Sequence, residues 1–336
     1  MRPCQAPLGP TVPSNVSLGG EFMENAPNVL LERAGTVISV GMQKGGVAKT
    51  TNAIHLAVAL AEAGRRVLLW DVDENYGATK VFGIPSEGFF TTMSVLTEDC
   101  TAEDAVLSVD DPELDVELPP GVDFIPSSRA LKGVDQALSA VDQFYNPNDV
   151  LRPHIDALKA SRAYDFIIID TGPHASPTTR SAYMVSDYFI LSVIPEKQAV
   201  ASLPDALSDI ANARRPDRNP KLHLLGLIVS CMDRRKTLAK RYEEAIEDRF
   251  RDANQQAVKF RTTIGSAAAI DKAYNVNKTV LQTEPGHKAS QQYRELAAEV
   301  EERIRAHTQK MLPAPVPTLA APTEQATPNL GVTANA

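Results

Sequence analysis

Cysteine is scarce in this 336-residue sequence, with Cys4, Cys100 and Cys231 far apart along the chain. None of the three belongs to a C-x-x-C motif or to a Cys/His cluster, which argues against zinc, an iron–sulfur cluster or a disulfide framework. No apolar run reaches the roughly 18 residues that a membrane-spanning helix needs, and the N-terminus lacks the apolar core of a signal peptide. We therefore expect a cytosolic protein that does not bind a membrane.

Positive charge is also in deficit. The chain carries 34 Lys and Arg against 42 Asp and Glu, a net charge of −8. Any binding to nucleic acid must therefore come from a local basic patch and not from the overall field. The hydrophobic content of 43 % and the charged content of 23 % are ordinary for a globular protein with a full core.

Two terminal segments lack hydrophobic periodicity. Residues 1–34 are rich in Pro, Gly and Ser, and residues 312–336 form a Pro/Ala/Thr tract without Lys or Arg. Such compositions are typical of disordered tails. We expect a single ordered domain over residues 35–311, with Met1 and Met23 both open as the start of the protein.

Strand-like and helix-like segments alternate between the tails. Continuous apolar or β-branched runs predict strands, and the longest helical patterns cover Thr50–Ala63 and Ser290–Lys310. This alternation predicts an α/β fold, a doubly wound and mostly parallel sheet with helices on both faces. The acidic stretch Asp110–Pro120 is interpreted as a solvated loop. The predicted strands are Thr36–Val40, Arg66–Trp70, Val122–Ile125, Phe166–Ile169, Phe189–Ile194 and Leu224–Val229.

A glycine-containing segment between the first strand and the first helix predicts a phosphate site. Backbone N–H groups at such a turn and the positive end of the helix dipole favour bound phosphate. Lys49 supplies a charge for the β- and γ-phosphates, and the Thr50 hydroxyl is a candidate Mg²⁺ ligand. The predicted ATP-binding residues are Lys44, Gly45, Gly46, Val47, Ala48, Lys49, Thr50 and Thr51.

The ordinary pattern G-x-x-x-x-G-K-[ST] is not met, because Gln43 and Ala48 occupy its glycine positions. The segment K-G-G-x-x-K-[ST] instead resembles the deviant Walker A motif of the ParA/MinD/nitrogenase-iron-protein group. In that group the early lysine, here Lys44, reaches across a sandwich dimer to the partner's ATP. The resemblance implies an ATP-dependent homodimer that hydrolyses ATP with Mg²⁺, and it makes Lys44, Lys49 and Asp73 the predicted catalytic residues.

Carboxylates at two strand ends complete the predicted site. Asp71 and Asp73 match the D-x-D of the group's first switch segment, in which Asp73 would orient the attacking water and Asp71 would hold the Mg²⁺ shell. Asp170, at the end of another strand, matches a Walker B aspartate. Thr50, Asp71 and Asp170 are therefore the predicted metal residues. The chain departs from the D-P-Q-G-N of relatives after Asp73, where it has Glu74 to Gly77.

The resemblance covers roughly Thr36 to Arg305 and is nearest to ParA among the branches of the group. Iron proteins and metallochaperones need cysteines that this chain lacks, and MinD-like proteins need a basic amphipathic C-terminal helix. Relatives often carry I-P-R where this chain has Ile264 to Ser266, and Ser230 stands where a polar contact to the base is expected. We expect no N-terminal helix-turn-helix domain, and therefore no specific operator binding, because too few residues predicted to be ordered precede Thr36.

Two groups of basic residues are candidates for DNA binding. By resemblance, ParA dimers bind DNA nonspecifically through such residues, and phosphate-driven binding falls steeply with salt. The alternative is a solvated helix face, since Glu243, Glu244 and Glu247 stand close by in the sequence. The predicted DNA-binding residues are Arg214, Arg215, Arg234, Arg235, Lys236, Lys240 and Arg241, with Arg218 and Lys221 near the first pair.

The sequence thus predicts a weak ATPase that cycles between an ATP-bound dimer on nonspecific DNA of the nucleoid and a released form. A ParB-like partner would stimulate its hydrolysis of ATP. Two alternatives stay open, a ParA-like positioner of a non-DNA cargo and a metabolic or regulatory ATPase that never binds DNA.

Overall fold

The structure is a computed structural model that describes residues 35–311, except 86, 110, 112–113, 115, 142–143 and 253–256. The two predicted disordered tails, 1–34 and 312–336, lie outside the described residues, as does part of the acidic stretch after Asp110.

Seven strands form one sheet in the spatial order β3-β2-β4-β1-β5-β6-β7. Every pairing within it is parallel, which confirms the predicted α/β class. Strands β2, β4 and β5 are buried along their whole length, so both of their faces carry apolar side chains. The strands are β1 Thr36–Gly41, β2 Val67–Asp71, β3 Val122–Ile125, β4 Phe166–Asp170, β5 Tyr188–Val193, β6 His223–Met232 and β7 Lys259–Gly265.

Helices cover both faces of the sheet. Helices α1 and α12 pack against each other and against the strands on one face. On the other face, one core cluster joins α3 to α6 and a second joins α7 to α9. A 3₁₀ turn at Arg129–Gly133 precedes α4. The helices are α1 Lys49–Glu62, α2 Gly77–Val81, α3 Thr92–Leu96, α4 Val134–Val141, α5 Arg152–Ser161, α6 Pro177–Val185, α7 Lys197–Ala201, α8 Leu203–Ala213, α9 Thr237–Arg249, α10 Ala268–Tyr274, α11 Val280–Thr283 and α12 Lys288–Met311. No helix in the described part of the chain is both long and apolar enough to cross a membrane.

The strand order brings the predicted site residues to one edge. Strand β4 lies between β1 and β2, and Asp170 pairs in register with Asp71 on one side and with Val40 on the other. Because all the strands are parallel, their carboxyl ends share an edge, where open α/β sheets bind ligands. The segment between β1 and α1 therefore starts directly beside two strand-end carboxylates.

Candidate nucleotide site

The loop between β1 and α1 is shaped to admit an anion. Gly46 and Ala48 both have left-handed backbone conformations, with φ of 71° and 64°. No atom lies within 4 Å of a Cβ added at Gly45 or Gly46, so the space beside these residues is open. The Val47 side chain, in contrast, is buried in the core cluster of α7 to α9. The loop is thus anchored by one apolar side chain while its glycine backbone faces free space.

Lys49 lies inside this loop and not on the protein surface. Its side chain is buried, and its Nζ donates a hydrogen bond of 2.9 Å to the Lys44 carbonyl oxygen. Burial lowers the pKa of Lys49, while the negative charges of Asp170 and Asp73 act in the opposite direction. The ammonium group therefore lies near both carboxylates. From this position its positive charge would compensate the negative charge of a bound phosphate group.

Among the carboxylates of the site, Asp170 has the least compensation for the cost of burying its charge. It is fully buried, and neither of its carboxylate oxygens accepts a hydrogen bond within the described residues. Burial and the neighbouring charges of Asp71 and Asp73 raise its pKa, whereas the Lys49 charge and the nearby Thr50 hydroxyl, which does not reach hydrogen-bond geometry with it, favour the ionised form. Buried carboxylates are normally paired or bind a metal ion. An unpartnered carboxylate here fits a bound cation.

Asp71 is in a different position because its oxygens are already engaged. Oδ2 accepts hydrogen bonds from the Thr79 backbone N–H at 3.0 Å and from the Thr79 hydroxyl at 2.8 Å, and Oδ1 accepts from the Asp73 N–H at 3.1 Å. Burial raises the pKa of Asp71 to about 7, against the effect of these hydrogen bonds. The carboxylate therefore holds α2 and the segment after β2 in place, and this limits its freedom to reach a metal directly.

The segment after β2 passes close to the phosphate loop. Asp73 Oδ1 accepts hydrogen bonds from the N–H and the side chain of Asn75. A Cβ at Gly77 would lie 3.1 Å from the Thr50 hydroxyl, and one at Gly172 would lie 3.0 Å from Asp73 Oδ1. Glycine at these two positions thus permits the close approach of the switch segment, Thr50 and the end of β4.

Hydroxyl side chains around these carboxylates hold this arrangement through hydrogen bonds. Ser127, just after β3, donates from its hydroxyl to the Asp73 carbonyl oxygen and from its N–H to Thr79 Oγ1, both at 2.9 Å. Thr178 at the start of α6 donates to the Val72 carbonyl oxygen at 2.9 Å. No motif in the sequence indicated Thr79 or Thr178, because each is a single hydroxyl residue that meets the site only after folding.

The residues present suit magnesium bound together with a nucleotide. Among the described residues, no group of three or more His, Cys, Asp or Glu side chains could hold a metal ion. Mg²⁺ does not require such a cage, since it keeps several waters and usually takes one or two protein ligands plus substrate phosphates. The Thr50 hydroxyl and the unpartnered Asp170 carboxylate are the groups that fit this requirement.

A cavity of about 280 Å³ adjoins the same edge of the sheet. It lies between the ends of β6 and β7 and the first turn of α12, and its lining includes Asp233, Gly265, Ser266, Lys288 and Gln292. Ser230, expected to contact the base, is instead buried and hydrogen-bonded to Asn52.

The two basic groups lie at opposite ends of β6. Arg214 and Arg215 follow α8, and the charge of Arg214 acts on His223 at the start of β6. The second group follows the end of β6 and continues into α9. Since β6 has ten residues, its ends are about 30 Å apart. One protomer therefore does not join the two groups into one patch.

Part of the second basic group is paired with acidic neighbours. Arg235 makes two hydrogen bonds to the Asp233 carboxylate, and Arg234 lies 3.7 Å from Glu243. Lys236, Lys240 and Arg241 are exposed. The surface ion pairs are weak and can be exchanged for other anions.

Comparison with known proteins gives consistent matches. Residues 35–224 match a family model described as an AAA domain. The chain is 31 % identical over 270 residues to the chromosome partitioning protein ParA of Caulobacter vibrioides, covering 80 % of this chain and 95 % of that protein. It is also 31 % identical over 268 residues to the chromosome-partitioning ATPase Soj of Thermus thermophilus, covering 80 % and 96 %.

Solved structures share the fold at lower sequence identity. Apo McdA of Cyanothece superposes with a TM-score of 0.65 at 19 % identity, covering 80 % of this chain and 99 % of that chain. Cobyrinic acid a,c-diamide synthase of Mycobacterium smegmatis with ADP and magnesium gives 0.63 at 23 % identity, covering 81 % and 96 %. MinD of Pyrococcus horikoshii with Mg-ADP gives 0.61 at 24 % identity, covering 83 % and 100 %.

Proposed function

The chain belongs to the ParA family of ATPases, and we propose that it is a dimerising switch that moves or partitions DNA. It is an ATP hydrolase that uses ATP and Mg²⁺. The observation that carries the proposal is the phosphate loop itself, in which buried Lys49 lies beside an unpartnered Asp170. Its family relatives include proteins named for chromosome partitioning.

We assign the site residues distinct tasks. Backbone N–H groups of residues 44–51 bind the phosphates, with Lys49 as the nearby charge. Thr50 and Asp170 hold Mg²⁺, which compensates phosphate charge when bound. Asp71 holds the switch segment through Thr79 and stays a predicted member of the outer metal shell. Asp73 orients the attacking water.

The cavity at the ends of β6 and β7 is proposed to receive the base. It lies at the same edge as the phosphate loop, with β5 and β6 between β1 and β7 in the sheet. Neighbouring strands are about 4.8 Å apart, so the cavity is roughly 10–14 Å from the loop. A nucleotide bound along this edge would have its phosphates at the loop and its base beside Asp233 and Gln292.

Dimerisation and DNA binding belong to the proposal as well. Lys44 is half-buried at the open side of the loop and is proposed to reach the nucleotide of a second copy. Exposed Lys236, Lys240 and Arg241, with Arg234 and Arg235, form the proposed contact to DNA phosphates. A ParB-like partner would stimulate hydrolysis and release the dimer from the nucleoid.

The test is binding of nonspecific duplex DNA, measured by fluorescence anisotropy at about 50 and 200 mM salt with ATP, ADP or no nucleotide. We expect binding that requires ATP, weakens steeply with salt and persists or strengthens in Asp73→Ala, where hydrolysis is blocked. Lys44→Ala should bind ATP without forming the DNA-bound dimer, as size-exclusion chromatography would show.

A folded, ATP-loaded dimer that ignores DNA at low salt would contradict the DNA model. That result would leave the ATPase assignment intact and favour a protein cargo. ATP turnover that depends on an added small-molecule substrate would instead favour a metabolic enzyme.

A further inference from the structure

A buried polar cluster lies directly beneath the phosphate loop, and none of its residues belongs to the proposed phosphate or metal site. It consists of Asn52 on α1, Ser192 on β5, Ser230 on β6 and Tyr293 on α12. All four side chains are at most 1 % exposed. Their polar atoms lie in a core that is otherwise apolar, where an unpaired polar group is costly.

Asn52 uses its full hydrogen-bonding capacity within this cluster. Its Nδ2 donates to Ser192 Oγ at 2.8 Å and to Ser230 Oγ at 2.9 Å. Its Oδ1 accepts from the Tyr293 hydroxyl at 3.0 Å and from Ser230 Oγ at 3.1 Å. A side-chain amide has two N–H donors and two acceptor lone pairs, so none is left over.

Ser192 connects the cluster to the phosphate loop, since its Oγ donates to the Val47 carbonyl oxygen. A serine hydroxyl has one proton, and the Asn52 amide can only donate to it from Nδ2. The proton of Ser192 is therefore committed to Val47. The Val47 carbonyl oxygen can only accept, so it fixes the Ser192 proton, and Ser192 then accepts from Nδ2 of Asn52.

The direction of the Val47 carbonyl decides the direction of the next amide. In a planar trans peptide, the C=O of one residue and the N–H of the next point to opposite sides. With the Val47 oxygen held against the core, the Ala48 N–H points away from the core, toward the open side of the loop where phosphate binds.

We infer that Ser192 and Asn52 are positioning residues that hold the Val47–Ala48 peptide in the orientation required for binding the β-phosphate. They do not touch the nucleotide. The inference concerns nucleotide binding by the ATPase and is independent of which cargo the protein serves.

The test compares two serine-to-alanine variants of the cluster, of which only one loses a contact to the phosphate loop. Ser192→Ala and Ser230→Ala each remove one buried hydroxyl that pairs with Asn52, but only Ser192 also bonds the Val47 oxygen. Affinities for Mg-ADP and for AMP are measured by calorimetry, because the phosphate loop surrounds the β-phosphate that AMP lacks.

We expect Ser192→Ala to bind ADP about tenfold more weakly than the wild type, the scale of one hydrogen bond, with AMP affinity changed by less than about twofold. Ser230→Ala should stay within about twofold for both ligands. Unchanged ADP affinity in Ser192→Ala, an equal loss for AMP, or an equal ADP loss in Ser230→Ala would each overturn the inference.

If Ser192→Ala does not fold, Ser192→Cys takes its place, since a thiol is a similar but weaker donor. It should lose several-fold in ADP affinity while keeping AMP affinity, and wild-type ADP affinity would refute the positioning role. Failure of the wild-type protein to bind ADP would instead contradict the nucleotide site itself.

Discussion

Buried ionisable side chains give the nucleotide site and its supporting helix opposite responses to pH. Burial raises the pKa values of Asp71 and Asp170, and the charge of Asp71 raises the pKa of Asp170 further. His55 on α1 is also fully buried, and its burial lowers its pKa to about 4. The two carboxylates therefore resist losing a proton, whereas the imidazole resists gaining one.

Replacing Asp170 by Asn should stabilise the nucleotide-free protein at neutral pH while removing Mg-dependent ATP hydrolysis. The pKa of Asp71 is about 7 in the folded protein and 3.8 in the unfolded chain. Its contribution to the free energy of unfolding is therefore fully present below pH 3.8 and is lost as the pH rises to about 7. Between pH 5 and pH 7 this loss is about 2 kcal/mol. The variant removes the carboxyl group of Asp170, whose own pKa is raised well above its ordinary value, so urea unfolding should show a smaller loss of stability between pH 5 and pH 7 than in the wild type. A steeper loss would contradict the proposed cost of burying the Asp170 carboxylate.

Replacing His55 by Gln should change the pH response in the other direction. A folded pKa of about 4 against 6.5 unfolded gives stability that is present above pH 6.5 and lost as pH falls toward 4. From pH 7 to pH 5 this amounts to about 2 kcal/mol. The variant loses the ring stacking on Tyr293 and should be less stable at pH 7, but its stability should fall less on acidification than that of the wild type. An unchanged pH dependence would show that His55 is not the group responsible.

The positions of charged residues, together with the resemblance to the ParA/MinD group, pointed to residues that lie near one another in the structure. Lys49, Asp73 and Asp170 stand at the ends of strands or at a helix start, and parallel strands bring such ends together. Thr79 and Ser127 were not predictable in this way. Their hydrogen bond joins positions 48 residues apart, and a hydroxyl residue in a loop has no pattern that distinguishes a structural contact from solvation.

At the scale of elements, continuous apolar runs located six strands within one or two residues, except that β6 continues to Met232. Strand β7 was missed because KFRTTIG mixes charged and apolar residues. Its burial depends on distant partners, since Lys259 Nζ lies 3.5 Å from Glu243 and Glu299 accepts from the N–H groups of Arg261 and Thr262. Charges that are neutralised only in the folded state cannot be recognised as buried from local sequence.

The phosphate loop carries a backbone cost that a substitution can reveal. Ala48 has φ of 64°, a conformation that disfavours any residue with a Cβ by about 1–2 kcal/mol. Part of the gain on introducing glycine is cancelled by the greater freedom of the unfolded chain. We therefore expect Ala48→Gly to raise the free energy of unfolding by roughly 0.5–1 kcal/mol.

Gly46→Ala is the matched opposite change, because Gly46 has φ of 71° with open space beside it. It should lower the free energy of unfolding by about 1 kcal/mol and weaken ADP binding, since the new methyl group enters the phosphate space. Chemical unfolding of both variants gives the two changes in the free energy of unfolding. Destabilisation by Ala48→Gly would indicate that the left-handed conformation at Ala48 is not a source of strain.

At the scale of the whole molecule, the separation of the two basic groups limits how DNA can bind. Phosphate contacts do not depend on the DNA sequence. Each phosphate that the protein neutralises adds about 0.9 to the steepness with which log K falls with log salt concentration. A single protomer presents Arg214 and Arg215 about 30 Å from Arg234 and Arg235, along the ten residues of β6. Only the second pair lies at the edge of the sheet that carries the ATP site, the edge where binding of ATP would be sensed.

We therefore expect the double variant Arg234→Ala/Arg235→Ala to lose ATP-dependent DNA binding and to lower the salt slope by about 2. The matched double variant Arg214→Ala/Arg215→Ala removes the same charge from the opposite end of β6 and should bind with nearly the wild-type slope. Anisotropy titrations over a range of salt concentrations measure both slopes, and ATP affinity is measured alongside because Arg234 and Arg235 also line the cavity proposed for the base. An equal reduction in the two variants would mean that DNA contacts both ends of β6, which requires a path along the side of the molecule or a second copy to bridge the distance.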